Sequence, residues 1–352
     1  MSTLKVDGIR SNSATSDAIT LANDGTCTAK LKSIAGGQLA GFRNLVINGN
    51  MKVHQRAQSV TGVTNGYRTA DRFFLRRSAA GTTFNSSVAN GVLTVNNPSA
   101  STAFDVRYGI EWDDAFYGKT MTISFNATAA VGSVDFSVGV VDGTIGATTA
   151  SVAAHLTGTT TDVADITVSP VSGTKYEITV DIPADADVSF TPDMLRLGFG
   201  TVSADASQSF TLSNVQCEFG TVATEFEYRS LQDTYKQCLR YAYVINAGDT
   251  DYVPNNYAYA YTDTVVRGVF YLPQPMRTYP SYTGNAIDVN FYANNNSAYF
   301  HFDDISGYIG DTTNDFPDTF AFTVTTSSIS GGQGGFLLSR QAGGQIIFDA
   351  EL

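Results

Sequence analysis

The chain has 352 residues, 43% of them hydrophobic and only 15% charged, so it is a folded chain rather than a disordered one and is long enough for two or three domains with cores of their own. A formal net charge of −12 sets most of the surface against nucleic acid and anionic membrane. The three cysteines, Cys27, Cys217 and Cys238, have neither the even count of a disulfide framework nor a Cys-x-x-Cys spacing for zinc, and are expected to be free thiols of a chain assembled in a reducing compartment.

The 32 glycines, with abundant Thr, Ser, Val and Tyr, make a strand-and-turn composition, and the fold class expected is mainly β. No apolar run approaches the ~20 residues of a membrane helix, and the opening MSTLKVDGIRSNS lacks the apolar core of a secretory signal, so no membrane insertion is expected.

Three zones follow in chain order. Residues 1–40 hold short apolar pairs, Leu4/Val6 and Ile19/Leu21, separated by Ser, Asn, Asp and Gly. That is too little apolar bulk to close a core, which leaves either a flexible tail or an extended arm or trimeric stem that gains its core from neighbouring copies. Gly36, Gly37 and Gly41 mark a hinge into the next zone.

Residues 41–229 read as a jelly-roll-like β-sandwich. Period-two alternation is clear at Met121/Ile123/Phe125, Val134/Phe136/Val138, Tyr176/Ile178/Val180 and Phe210/Leu212, then Val215. Residues 230–352 open with SLQDTYKQCLRYAY, in which Leu231, Tyr235, Cys238 or Leu239, and Ala242 recur at helical spacing behind a Ser230 N-cap. Strands then resume as a C-terminal β head. Of the 18 tyrosines only Tyr67, Tyr108, Tyr117, Tyr176 and Tyr228 precede Arg229, a shift in composition that places a domain boundary at the short linking helix.

Five segments carry a resemblance: NLVINGNMKVHQRAQSVTGVTNGYRTADRFFLRR, NVQCEFGTVATEFEYRS, LQDTYKQCLRYAYV, LPQPMRTYPSYT and FDAEL, spanning residues 44 to 352. In this order they resemble a module series of tailed-bacteriophage fibre and receptor-binding proteins, and MSTLKVDGI is similar to the starts of structural proteins of marine cyanophages. The chain departs from the series at Leu239, where Gln is common, and at Glu225, where Pro is. The resemblance implies a homotrimeric virion fibre or spike component, assembled in the host cytoplasm. Residues 1–40 would attach it to other virion proteins, the sandwich would be carbohydrate-binding-module-like, and the head would recognise a host-surface polysaccharide. A head decoration or fibre adaptor, and a polysaccharide depolymerase, are the alternatives.

In the helix, Tyr235, Leu239 and Tyr243 are expected to pack against the same helix of two other chains. Catalytic constellations are thin. The carboxylate pairs Asp113/Asp114, Asp249/Asp251 and Asp303/Asp304 are adjacent or nearly so, and neighbours on a strand point to opposite faces, so no enzyme and no cofactor are expected. Asp303, Asp304, Asp311 and Asp315, in a glycine-containing loop, are candidate calcium ligands without EF-hand spacing. His54, His155 and His301 are scattered, and Gly331–Phe336 reads as a hairpin turn.

Sugar recognition uses aromatic faces against apolar C–H faces and amides against hydroxyls. Tyr252, Asn255, Asn256, Tyr257, Asn294, Asn295 and Asn296 supply both kinds of group in expected loops. Tyr257, Tyr259 and Tyr261 would share one strand face, either core or platform. Trp112 is the lone tryptophan, at a strand end, and is either a core residue or a sugar platform.

Overall fold

The computed structural model describes residues 7–23, 27–29, 41–77, 83–96, 104–130, 134–145, 166–167, 169–188, 190–201, 209–246, 253–285, 288–293, 296–301, 305–308, 319–325, 330–340 and 345–352. These are mainly strands, as the composition requires, with one α-helix among them. The chain divides into two compact units: residues 1–50, 76–82 and 94–229 form the first, and residues 51–75, 83–93 and 230–352 the second. The second unit therefore takes in 51–75 and 83–93, which the zones drawn from composition assign to the sandwich.

In the first unit, Gly8–Ile9, Ile19–Leu21 and Cys27–Ala29 pair as a small antiparallel sheet that leaves Ile9 and Leu21 exposed. One larger sheet runs Lys175–Asp181, Thr120–Ala129, Ser209–Phe219. Another runs Ile166–Thr167, Val134–Val141, Met194–Thr201, Phe104–Glu111. The alternating residues point inward as the period of two demands, and Phe125 of one sheet meets Phe136 and Phe199 of the other at ring-centroid distances of 5.7 and 4.9 Å. This is the sandwich.

The break in phase between Leu212 and Val215 has a cause in the register. Ser124 faces Gln216 while Asn126 faces Ser213, so the Ser209–Phe219 strand carries an extra residue, accommodated by Asn214 at φ 50°.

Two of the sequence signatures meet in this unit as a buried polar cluster. Glu227 accepts from the backbone N–H groups of Arg43 (2.6 Å) and Asn44 (2.9 Å) and from Arg229 Nε (2.8 Å). Asn44 Oδ1 accepts from the amides of Val46 and Cys217, while Gln216 accepts from the Glu227 amide and donates to Glu218 at 2.8 Å. Glu218 also accepts from the amide and hydroxyl of Thr224. Burial alone would raise the Glu227 carboxyl, but these donors and the Arg229 charge hold it below its ordinary range.

The second unit contains the helix, Leu231–Leu239. The Ser230 hydroxyl accepts from the Asp233 amide at 3.1 Å, the N-cap expected from the sequence. The expected apolar stripe divides, however: Cys238 and Leu239 are buried, whereas Leu231 and Tyr235 are 58% and 39% exposed. Leu239 is buried within its own unit, while Tyr235 of the same expected set is exposed. Tyr243 is half-buried and stacks on Phe348 at 6.2 Å. Cys217 of the first unit and Cys238 of the second are free and buried; burial pushes the Cys217 thiol up to about 12 and the Cys238 thiol well above its usual value.

Ala242–Asn246, Gln345–Asp349 and Ser281–Asn285 form a three-stranded sheet. A seven-stranded sheet runs Asn296–His301, Asp288–Ala293, Gly334–Arg340, Val253–Thr262, Val265–Tyr271, Thr319–Thr325, Ile305–Tyr308. Phe348 of the smaller sheet packs between Phe270 (5.5 Å) and Phe320 (5.1 Å) of the larger, and Phe322 completes the aromatic core.

The remaining signatures converge here on buried charge. Arg56 pairs with Asp349 at 2.9 Å and with Glu351 at 3.5 Å, and Arg72 pairs with the other oxygen of Glu351. Arg72 lies 3.4 Å from the Tyr241 ring centroid and has φ 73°, a left-handed conformation that a side chain adopts only when its surroundings hold it there. Arg277 donates to the carbonyls of Ala350 and Glu351 at 2.9 and 3.0 Å. Asp71 accepts from the amide (2.9 Å) and side chain (2.6 Å) of Gln55, and burial pushes its carboxyl up to about 6.

Removing one partner of a buried ion pair strands the other charge, so Glu351→Ala is expected to lower stability by about 3–5 kcal/mol in urea-unfolding curves. The two acids respond to pH with opposite signs. Folded Asp71 keeps a proton between about pH 4 and 6 that the unfolded chain has lost, so its contribution falls as pH rises through that window; Asp71→Asn removes the slope. Glu227 is depressed, so its contribution is present above its unfolded value near pH 4.5 and is lost as pH falls through its lower folded value. Unfolding curves of the wild type, Asp71→Asn and Glu227→Gln from pH 3 to 8 separate the two.

Candidate functional site

The segment Tyr257-Ala258-Tyr259-Ala260-Tyr261 inverts the usual arrangement of large residues inside and small ones outside. Ala258 and Ala260 are buried, and Tyr257, Tyr259 and Tyr261 are 71%, 46% and 52% exposed. The neighbouring strand Val265–Tyr271 places Val266 and Phe270 in the core and turns Arg267, Val269 and Tyr271 outward, with Tyr271 71% exposed. Register sets Tyr259 opposite Arg267, and on the next strand Arg267 opposite Thr323 and Val269 opposite Ala321.

Small side chains at Val269 and Ala321 make a floor between taller tyrosines. The result is a groove of about 380 Å³ lined by Tyr257, Tyr259, Arg267, Val269, Tyr271 and Ala321, at the lower end of the ~300–1,000 Å³ range of small-molecule sites.

The core side explains how the outer face is held. Gly268 faces Ala258 across the strand pair, and a Cβ on Gly268 would come within 2.5 Å of Phe322 Cζ. The aromatic ring occupies the space that two small residues leave, and this fixes the strands that carry the tyrosines. On the outer side the Arg267 guanidinium lies 3.5 Å from the Tyr261 ring centroid, and Tyr261 meets Tyr259 edge to face at 6.4 Å. Arg267 Nε is buried without a hydrogen-bond partner, and among the described residues no carboxylate pairs with this arginine.

Chemically the described residues of this face offer flat rings, phenolic hydroxyls and the Arg267 cation. Among the described residues no group of three His, Cys, Asp or Glu side chains is placed to hold a metal ion.

Of the residues expected at a sugar site, Tyr257 stands on this face. Asn255 and Asn256 lie in the Val253–Thr262 strand rather than in a loop, because Pro254 pairs with Leu338 and Asn256 with Leu337 across a register shift. Asn296 begins the Asn296–His301 strand. Tyr252, Asn294 and Asn295, and the calcium candidates Asp303, Asp304, Asp311 and Asp315, lie outside the described residues.

Asp113 caps the short 3-10 turn Asp114–Phe116 by accepting from the Ala115 amide at 2.8 Å, and Asp114 accepts from Trp112 Nε1 at 3.3 Å. Trp112 is half-buried, edge-on to Phe116 and Tyr117. Gly331 and Gly332 form a turn tied to Asp263 and Ala260, with Gly332 at φ 83°. Arg267 and Tyr271 belong to no motif of the sequence, although the alternation in VVRGVFY puts them on one face.

No protein family and no curated protein is matched by the chain. Among solved structures it is similar to a family 4 carbohydrate-binding module, at 16% identity over 42% of this chain and 95% of that one, with a TM-score of 0.28. It is also similar to the xyloglucanase domain of NopAA, a type three effector from Sinorhizobium fredii in complex with cellobiose (13% identity, 47% and 100% coverage, TM-score 0.29). A third is the tandem CBM22-1–CBM22-2 domain of Paenibacillus barcinonensis Xyn10C (10% identity, 85% and 98% coverage, TM-score 0.25). Likenesses this distant decide neither fold nor function.

If Gly268 is what lets Phe322 seat under the groove, Gly268→Ala overpacks the core and costs about 1–3 kcal/mol, read as a lower urea midpoint with an unchanged m-value.

Proposed function

We propose that this chain is a non-enzymatic component of a bacteriophage fibre that recognises a glycan of the host surface through the tyrosine face of its second unit. The observation that carries the reading is the inverted strand pair: alanine and glycine inside, Tyr257, Tyr259 and Tyr271 outside around a groove. A soluble protein keeps exposed apolar patches small unless they bind something, and tyrosine joins an apolar face to a polar tip at little entropic cost. That combination suits a sugar ring, apolar on its C–H faces and polar at its rim.

The five signatures of the sequence, which resemble those of phage fibre proteins, support the setting on the virion. Exposed Leu231 and Tyr235 on the helix support assembly as a homotrimer. Three copies of the face would compensate for weak affinity at each.

Tyr257→Ala and Tyr271→Ala are each expected to weaken binding to purified host-surface polysaccharide by about 2- to 12-fold, the scale of a ring contact of ~0.5–1.5 kcal/mol, without shifting the thermal unfolding midpoint. Titration calorimetry reads both. Unchanged affinity in both variants would overturn the reading.

A further inference from the structure

We infer that the glycan taken by the tyrosine face is acidic, and that Arg267 reads a carboxylate on one of its sugars. This rests on the reading of the face as a glycan site, and it comes from the charge in the groove rather than from its shape.

Among the described residues Arg267 is the one charged residue lining the groove; the other described lining residues are tyrosine, alanine, glycine and valine. Its cross-strand neighbours, Tyr259 and Thr323, are neutral. Two other arginines of the same unit are paired with acids, Arg56 with Asp349 and Glu351 and Arg72 with Glu351, while Arg68 and Arg277 donate to backbone carbonyls. An arginine kept without such a match on an outward face, in a chain of net charge −12, is a local exception to the field of the protein. At physiological salt the Debye length is about 8 Å, so an anionic group in contact with Arg267 feels that charge more strongly than charges more than a Debye length away.

The geometry also prepares the side chain. Stacking on Tyr261 at 3.5 Å covers one face of the guanidinium and holds its plane, while burial of Nε leaves Nη1 and Nη2 as the donors a groove ligand can meet. An arginine already ordered loses less freedom when it binds, and its planar fork matches the two oxygens of a carboxylate. Tyr257 and Tyr271 would carry the ring while Arg267 takes the acid. Sulfate and phosphate esters share the negative charge and need to be separated from carboxylate by experiment.

The test is an array on which uronate-bearing and sialylated glycans are printed beside their carboxyl-reduced counterparts, with neutral, sulfated and phosphorylated glycans alongside. It is probed with the full chain and with Arg267→Gln and Arg267→Lys. The expected result is binding to acidic glycans that falls about tenfold or more on carboxyl reduction, the scale of charge-assisted hydrogen bonds. Arg267→Gln should bind the acidic and reduced forms alike, Arg267→Lys should fall between, and the unfolding midpoints of all three proteins should coincide.

Equal binding of acidic and reduced glycans by the wild type overturns the inference and leaves the glycan reading standing. Preference for sulfated or phosphorylated glycans over carboxylated ones overturns the carboxylate assignment. Binding to no glycan on the array overturns the glycan reading and this inference with it.

Discussion

The second unit depends on the burial of two guanidinium groups against one carboxylate. Arg56 and Arg72 reach Glu351 from a segment almost three hundred positions earlier, and none of the three side chains is more than 7% exposed. Buried ions are costly unless paired and bonded, so each of these groups fixes the other two. Around them Tyr241 stacks on Arg72, Arg277 holds the carbonyls of Ala350 and Glu351, and Tyr67 donates to the carbonyl of Leu352. The Gln345–Asp349 strand is thereby held at the centre of its sheet, with Phe348 turned into the core beneath the strands that carry the tyrosine face.

This also explains what in the sequence was legible. The QR of the first signature, the DRF that follows it, the RTYP turn and the terminal DAEL are polar groups whose spacing is dictated by mutual contact, and groups so constrained stand out as motifs. The same holds for Asn44, Gln216, Glu218, Glu227 and Arg229 in the first unit. Strands were legible because a half-buried strand has a strict period. Where the period slipped, at Asn214, a bulge in the register was responsible, and no periodic template contains it.

The site was harder to read, for physical reasons of its own. Tyr257, Tyr259 and Tyr261 were visible as one face, but their direction is set by what the opposite face must accommodate, Phe322 over Ala258 and Gly268, and that is a property of the packed sheet. Asn255 and Asn256 resemble turn residues, but the pairing of Pro254 with Leu338 and of Asn256 with Leu337 draws them into a strand. Arg267, a single basic residue within a strand, looks from sequence like any solvated side chain. Only its stacking on Tyr261, without a carboxylate beside it among the described residues, sets it apart.

The distance along the chain between the two sides of the buried ion cluster has a consequence for biosynthesis. Arg56 and Glu351 are 295 positions apart. At ~5–20 residues per second the ribosome takes about 15–60 s to supply the second partner after the first. During that interval Arg56, Arg72 and the apolar Phe73 and Leu75 beside them have emerged without the strand that completes their surroundings. The first unit has its sandwich strands in hand by residue 219, so the two units mature in sequence, and a ribosome that stalls late releases a chain with one finished unit and one unfinished, exposed to chaperones and proteases.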